Sequence, residues 1–438
     1  MKRIKSPELP STDDSFHRRL PLYRLLAGVL IAIAVIACCV QQIWRKDGDP
    51  YLFVHAARLL LQRQDIYLIP DQHGAYYYYP PFFACLIIPL TILPVEVVVV
   101  LWALASVGLL SWSMAAFYTG LTGQPFFSIP EKTRWVICFF ATLLTARFII
   151  LHQRFGSANV FVLALAVLGL TVLTRKQSVR GGITLGLSIV LKLTTLPFGL
   201  WFLAKRDTRV LSGIVLGGLI GIALPAAVVG LSRDVSYHRE WVEQVILFNG
   251  PGTGSWAGTG DVSLRAQADR FFLKADAFVD KGTSYRVTIV ELPQPIVRLL
   301  GWFVMLGVAL TIVVYAVRFQ DAPELVSQWG GFAFVFSLIP IFSTVTLIPH
   351  LILLIPAYIY VVHVWYCRLT TDRLFRALVL LSFIFTSLTT KGFFGVFVSR
   401  MLAALGFIPL GILFLSAAIF RAASCIQRNA NGAPLMPA

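Results

Sequence analysis

Between residues 326 and 367 the chain carries no Asp, Glu, Lys or Arg, and the side chains there that titrate near neutrality are His350 and His363. Shorter uncharged runs recur at 25–40, 97–118, 160–173 and 210–230. Inside a bilayer a backbone can satisfy its polar groups only as helices or as a closed barrel. These runs are long and lack the two-residue alternation of barrel strands, so a barrel is excluded. The expectation is an all-α, polytopic transmembrane bundle of about eleven or twelve spans. Composition agrees: 57% of the 438 residues are hydrophobic and 13% charged, too few polar side chains to cover a soluble core.

The formal net charge of +16 raises nucleic acid as a partner. The basic residues are instead dispersed at the ends of apolar runs, with no aromatic-interleaved basic groove, which excludes that class and fits positive-inside anchoring. Six of the first 24 residues are Lys or Arg, so residues 1–24 read as a cytoplasmic tail. No small-residue cleavage pattern follows the first apolar run, which reads as a retained helix. The integral membrane domain spans 25–420, with external loops at 41–79 and 231–294, and 421–438 reads as a loose polar tail. One conflict remains in this topology. The cluster Arg175, Lys176, Arg180 and the cluster Lys205, Arg206, Arg209 both look cytoplasmic, which requires a re-entrant or broken segment nearby. The six cysteines form no CxxC pair and read as small core residues.

Polar residues that an apolar chain has reason to avoid mark the candidate site. Asp47 and Asp49 open the first external loop. Asp49 precedes Pro50, so it fits an N-cap followed by proline at the first helical position, and it equally fits a general base above a pocket between helices. The helix it starts, within 50–64, suits the membrane interface. Tyr76 to Tyr79 followed by Pro80 and Pro81 fit either an interfacial aromatic belt or a sugar-stacking wall, with Tyr78 and Tyr79 the candidate contacts. Lys192 falls in an apolar segment read as helix, where a cation must snorkel, pair or bind an anion. His350 fits a hydrogen bond to a nearby carbonyl or a donor to a phosphate. Arg154 and Arg265 are solvated loop charges or phosphate clamps. The stretch from Gly250 to Gly260 lacks GxxxxGK and is not a nucleotide loop; it remains a candidate flap.

Taken in order, these marks resemble glycosyltransferase family 87, polytopic enzymes of the C-type glycosyltransferase fold. The resemblance rests on Asp49, Ala56-Ala57-Arg58, Asp65-Ile66-Tyr67, Tyr79-Pro80-Pro81-Phe82 and the run from Pro89 to Pro94. Further matches are Gly156-Ser157-Ala158-Asn159, with serine where glutamine is usual, and Gly182 to Leu187 followed by Lys192 and Pro197. Asp261-Val262-Ser263-Leu264-Arg265 has aspartate where asparagine is common. Pro340, Ser343 and His350 match a late motif whose tryptophan is missing here.

The resemblance implies transfer of a sugar, with mannose a candidate, from a polyprenyl-phosphate donor to a lipid or glycan acceptor at the non-cytoplasmic face of the cell membrane. Asp49 is expected to be catalytic, and Tyr78, Tyr79, Asn159, Lys192, Arg265 and His350 to bind substrate. No metal ligand is assigned; DGD resembles a DxD pair, and dependence on a divalent metal stays open. The rival reading is a lipid or polyprenyl-linked sugar flippase without transfer chemistry. Such a protein is expected to carry ionisable residues at midplane on several helices.

Overall fold

The computed structural model describes residues 14–247 and 258–431. The candidate flap therefore lies mostly outside the described residues. Helix α1 (Asp14–Arg45) leads into the short α2 (Asp49–Leu61), and an extended connection reaches α3 (Pro81–Ile87) with its 3₁₀ continuation Ile88–Ile92. There follow α4 (Val95–Thr122), α5 (Glu131–Phe155), α6 (Asn159–Thr174), α7 (Ser178–Leu191), α8 (Pro197–Ala204), α9 (Thr208–Ala223) and α10 (Ala226–Val229). The polar insertion holds α11 (Leu231–Trp241), α12 (Leu264–Phe272) and an antiparallel hairpin of β1 (Phe278–Asp280) and β2 (Thr283–Tyr285). The chain closes with α13 (Gln294–Arg318), α14 (Gly331–Phe342), α15 (Ile355–Tyr366), α16 (Arg373–Phe383), α17 (Lys391–Ala404) and α18 (Phe407–Ala430).

Among the described residues, eight helices are long and apolar enough to cross a membrane, and a ninth candidate is the pair Arg373–Leu388 and Lys391–Ala404, bent by 88°. Four further apolar helices, including α6 and α7, are shorter. The all-α polytopic bundle is thus observed, but with eight or nine candidate spans among the described residues instead of the expected eleven or twelve, because four of the apolar helices are too short to cross. The protein is a multi-pass membrane protein by these helices. The segments Leu325–Phe342 and Ile348–Tyr366 form its buried centre, and α1 lies at the periphery. At the C-terminus the structure corrects the loose tail. Helix α18 runs to Ala430 with Ala422 and Ala423 buried, because Arg421 pairs with Asp372 at 2.6 Å and the apolar face continues.

The conflict between the two basic clusters resolves in the packing of α6 to α9. Gly169 lies against Gly181 and Leu185, while Leu173 covers Gly181, so α6 and α7 run antiparallel. Gly182 meets Val210 and Gly213, Gly186 meets Ile214 and Gly217, and Gly221 meets Val190, so α7 and α9 run parallel. A side chain at any of the four glycines in the first two pairs would strike the facing backbone; small residues four apart allow this close approach. Two parallel neighbours require a return between them. That return is the 3₁₀ turn Leu193–Thr195 and α8, and the chain reverses at Lys192, whose backbone is extended (φ −160°, ψ 120°). The segment from Ser178 to Ala204 is therefore re-entrant. Lys176, Arg180 and Arg209 then line one groove at the end of the bundle away from Lys192.

Candidate active site

Helix α2 begins at Asp49 itself, capped by Gly48 without any side-chain hydrogen bond. The N-cap role expected for Asp49 is thereby corrected. Gly48 (φ 118°) takes that position, since Asp47 spends its carboxylate on the Gly48 N–H at 2.7 Å. Among the described residues no group donates a hydrogen bond to the Asp49 carboxylate, which is half-buried. Burial raises its pKa to about 7, against the opposing pull of the Lys192 ammonium, and Asp47 adds a smaller upward push. A carboxylate tuned to neutrality can both hold and release a proton at physiological pH.

Across from it, Gly156 ends α5 in the left-handed conformation (φ 66°), and its missing side chain leaves room for Pro50, whose Cδ would lie 2.5 Å from a Cβ there. This turn delivers Asn159 to the start of α6, fully buried. Asn159 Nδ2 donates to Ser157 Oγ at 2.5 Å, leaving Oδ1 to accept from Lys192 Nζ at 2.7 Å. Lys192 was expected inside an apolar helix. It stands instead at the break after α7, where the extended backbone frees its side chain from the helix surface. Its ammonium also lies 3.1 Å from His350 Nε2 and 5.3 Å from the centre of the Tyr79 ring. Asn159, Lys192, His350 and Tyr79 thus form one cluster, and Asp49 is within electrostatic reach of both Lys192 and Tyr79.

The tyrosine run is extended, so alternate rings face opposite ways. Tyr77 and Tyr79 turn inward, 5.8 Å apart between ring centres, and Tyr79 packs on Phe53 and Phe83. Tyr76 and Tyr78 turn out to the surface. The structure therefore brings Tyr79 to the lysine cluster and leaves Tyr78 outside it.

Arg265 sits buried on α12 facing Asp269 at 4.0 Å, with Asp261 also close. Ser263 caps this helix through Ala266 N at 3.2 Å. The segment before it is fastened to the chain that precedes His350: Val262 N donates to Thr346 O at 2.7 Å, and Thr346 N donates to Asp261 Oδ1 at 2.9 Å. Arg265 is tied to the same loop system as His350, with the Asp269 and Asp261 carboxylates near it.

Two residues of the site, Gln42 and His152, were not singled out from sequence, and Ser157 was noted only as a departure from the family motif. Ser157 orients Asn159, and Gln42 reaches the Gly156 turn from α1. His152 is fully buried within electrostatic reach of Lys192 and His350, with both ring nitrogens lacking a partner among the described residues. The signal for His152 was a histidine late in an apolar helix; Gln42 carries none in a single sequence. Among the described residues no three His, Cys, Asp or Glu side chains converge as a metal site.

Fold and site together define a polytopic helical membrane protein in which a lysine, an asparagine and a histidine cluster within electrostatic reach of one carboxylate. The chain matches the model of glycosyltransferase family 87 over residues 77–340, more than half its length, and belongs to that family. It is a glycosyltransferase. The matched region contains Tyr79, Asn159, Lys192 and Arg265, while Asp49 and His350 flank it. No curated protein and no solved structure matches the chain.

Proposed function

We propose that this glycosyltransferase moves a sugar from a polyprenyl-phosphate donor to a lipid or glycan acceptor at the non-cytoplasmic face of the cell membrane. The observation that supports the reading is that a carboxylate free of capping, Asp49, lies within electrostatic reach of a lysine ammonium held at the break of a re-entrant segment. The two groups fit the two ends of a displacement at an anomeric carbon. Asp49 takes the acceptor hydroxyl proton as its oxygen attacks that carbon. The bond from the carbon to the phosphate oxygen breaks, and the polyprenyl phosphate leaves with the electron pair. Lys192 stabilises that leaving charge, with Asn159 and His350 orienting the ammonium. A phosphate needs no protonation to leave, so one carboxylate suffices and the single attack inverts the configuration.

Charge supports this sidedness. Lys176, Arg180 and Arg209 line a groove at the end of the bundle away from Lys192, and the positive-inside rule favours the cytoplasm for that end and the outer face for Asp49. A lipid donor accounts for a site built at the end of a membrane bundle, since its tail stays in the bilayer and its phosphate at headgroup depth.

The test is transfer by purified protein in lipid nanodiscs from radiolabelled mannosyl-phosphate polyprenol to extracted membrane lipids and glycans. Labelled product is expected. Movement of the donor across sealed vesicles with no covalent product would favour the flippase reading.

A further inference from the structure

The distance between base and cation is set by parts that lie on separate segments, Asp49 at the start of α2 and Lys192 at the break after α7. Gln42, near the end of α1, reaches both neighbourhoods. It is 4% exposed. Its Nε2 donates to Gln153 O at 2.8 Å, across 111 residues, and its backbone carbonyl accepts from Asp47 N at 3.1 Å. Its Oε1 is buried and occupies the space that two missing side chains leave. A Cβ on Gly48 would lie 2.8 Å from that oxygen, and a Cβ on Gly156 3.0 Å from it. Both glycines have positive φ, 118° and 66°.

We propose that Gln42 is a positioning residue for the transfer reaction, clasping the Gly48–Asp49 turn to the Gly156–Asn159 turn and so fixing Asp49 relative to Lys192. The proposal rests on the roles given above to Asp49 and Lys192. An amide buried with one of its polar atoms lacking a partner, as Gln42 Oε1 does among the described residues, costs stability relative to an apolar side chain of the same volume. Packing alone therefore does not call for glutamine here. What the amide adds is a directional tie from α1 to the end of α5, at the level where both turns meet. Small errors in the placement of a base cost large factors in rate, so a fixed joint at this point has a function that a greasy contact would not serve.

A thermodynamic cycle that needs no substrate tests the clasp. In Asp49→Cys protein the rate of alkylation by iodoacetamide against pH, read by mass spectrometry on the peptide that holds the new thiol, reports the field of Lys192 at that position. Adding Lys192→Met is expected to raise the alkylation midpoint by about one pH unit when Gln42 is present. In a Gln42→Met background the same lysine change is expected to shift the midpoint by less than about a third as much. Gly156→Ala, which attacks the clasp from its other side, is the second background and decides the matter if Gln42→Met does not fold. An equal shift in both backgrounds, or no shift even with Gln42, overturns the proposal. In the transfer assay Gln42→Met is expected to lower turnover about tenfold while the donor KM stays constant; turnover equal to that of the unaltered protein overturns the catalytic part. Should unaltered protein fail to transfer, the proposed donor is contradicted, and the alkylation cycle still decides whether Gln42 positions Asp49.

Discussion

Lys192 Nζ donates to Asn159 Oδ1 at 2.7 Å, joining the break after α7 to the first residue of α6. The end of one helix and the start of another meet there. The lysine gains an oriented acceptor, and one that is neutral, so its positive charge is left to act on a substrate anion. Lys192→Met is therefore expected to lower kcat/KM for the donor by about 10²-fold. Asn159→Ala, which leaves the charge and removes its orientation, is expected to cost less, about tenfold. Steady-state kinetics with varied donor measure both.

The pKa of Asp49 sets the pH response. The base works ionised, and burial holds its pKa at about 7, so kcat/KM is expected to rise with pH through neutrality and level off above it. Lys192 opposes the effect of burial, since a cation favours the carboxylate. In Lys192→Met the acid limb is expected to move to higher pH. A pH profile at saturating acceptor checks the direction.

The bundle was legible because uncharged runs of this length have few other physical solutions, and the parts of the site that face a charge problem were legible for the same reason. Lys192 stood out because a cation in an apolar segment needs a partner. Its place at a break was not legible: β-branched and apolar residues surround it on both sides, and the reversal is decided by the parallel packing of α7 on α9. Capping by Asp49 was read from Asp-Pro spacing, and the competing bond of Asp47 to Gly48 N could not be seen in that pattern. Tyr78 and Tyr79 were both read as sugar contacts, although only Tyr79 belongs to the Tyr-Pro-Pro-Phe motif, and the register of an extended segment separates them.

The parallel contact of α7 and α9 gives a stability prediction. Gly186→Leu and Gly217→Leu place side chains against the facing backbone and are expected to destabilise the fold by about 2–3 kcal/mol or more. Gly218→Ala, where a Cβ would stand 4.0 Å from Val190 Cγ2, is expected to be nearly neutral. Thermal unfolding in one detergent compares the three.

The re-entrant segment makes a topological prediction. Single cysteines at Ser178 and Asp207 are expected to label from the same side of the membrane, and one at His55 from the opposite side. Impermeant thiol reagents on whole cells and on inverted vesicles distinguish these sides. Labelling of Ser178 and Asp207 from opposite sides would mean that the segment between them crosses fully.

The central claim is that Asp49 is the base of the transfer, and Asp49→Asn tests it most directly. The amide keeps the shape of the side chain, and because Gly48 caps the helix the fold does not depend on the lost charge. Initial rates of product formation from mannosyl-phosphate polyprenol by purified, monodisperse protein are expected to fall by about 10²-fold or more, with donor binding retained. Turnover of Asp49→Asn at the rate of the unaltered protein would contradict the account.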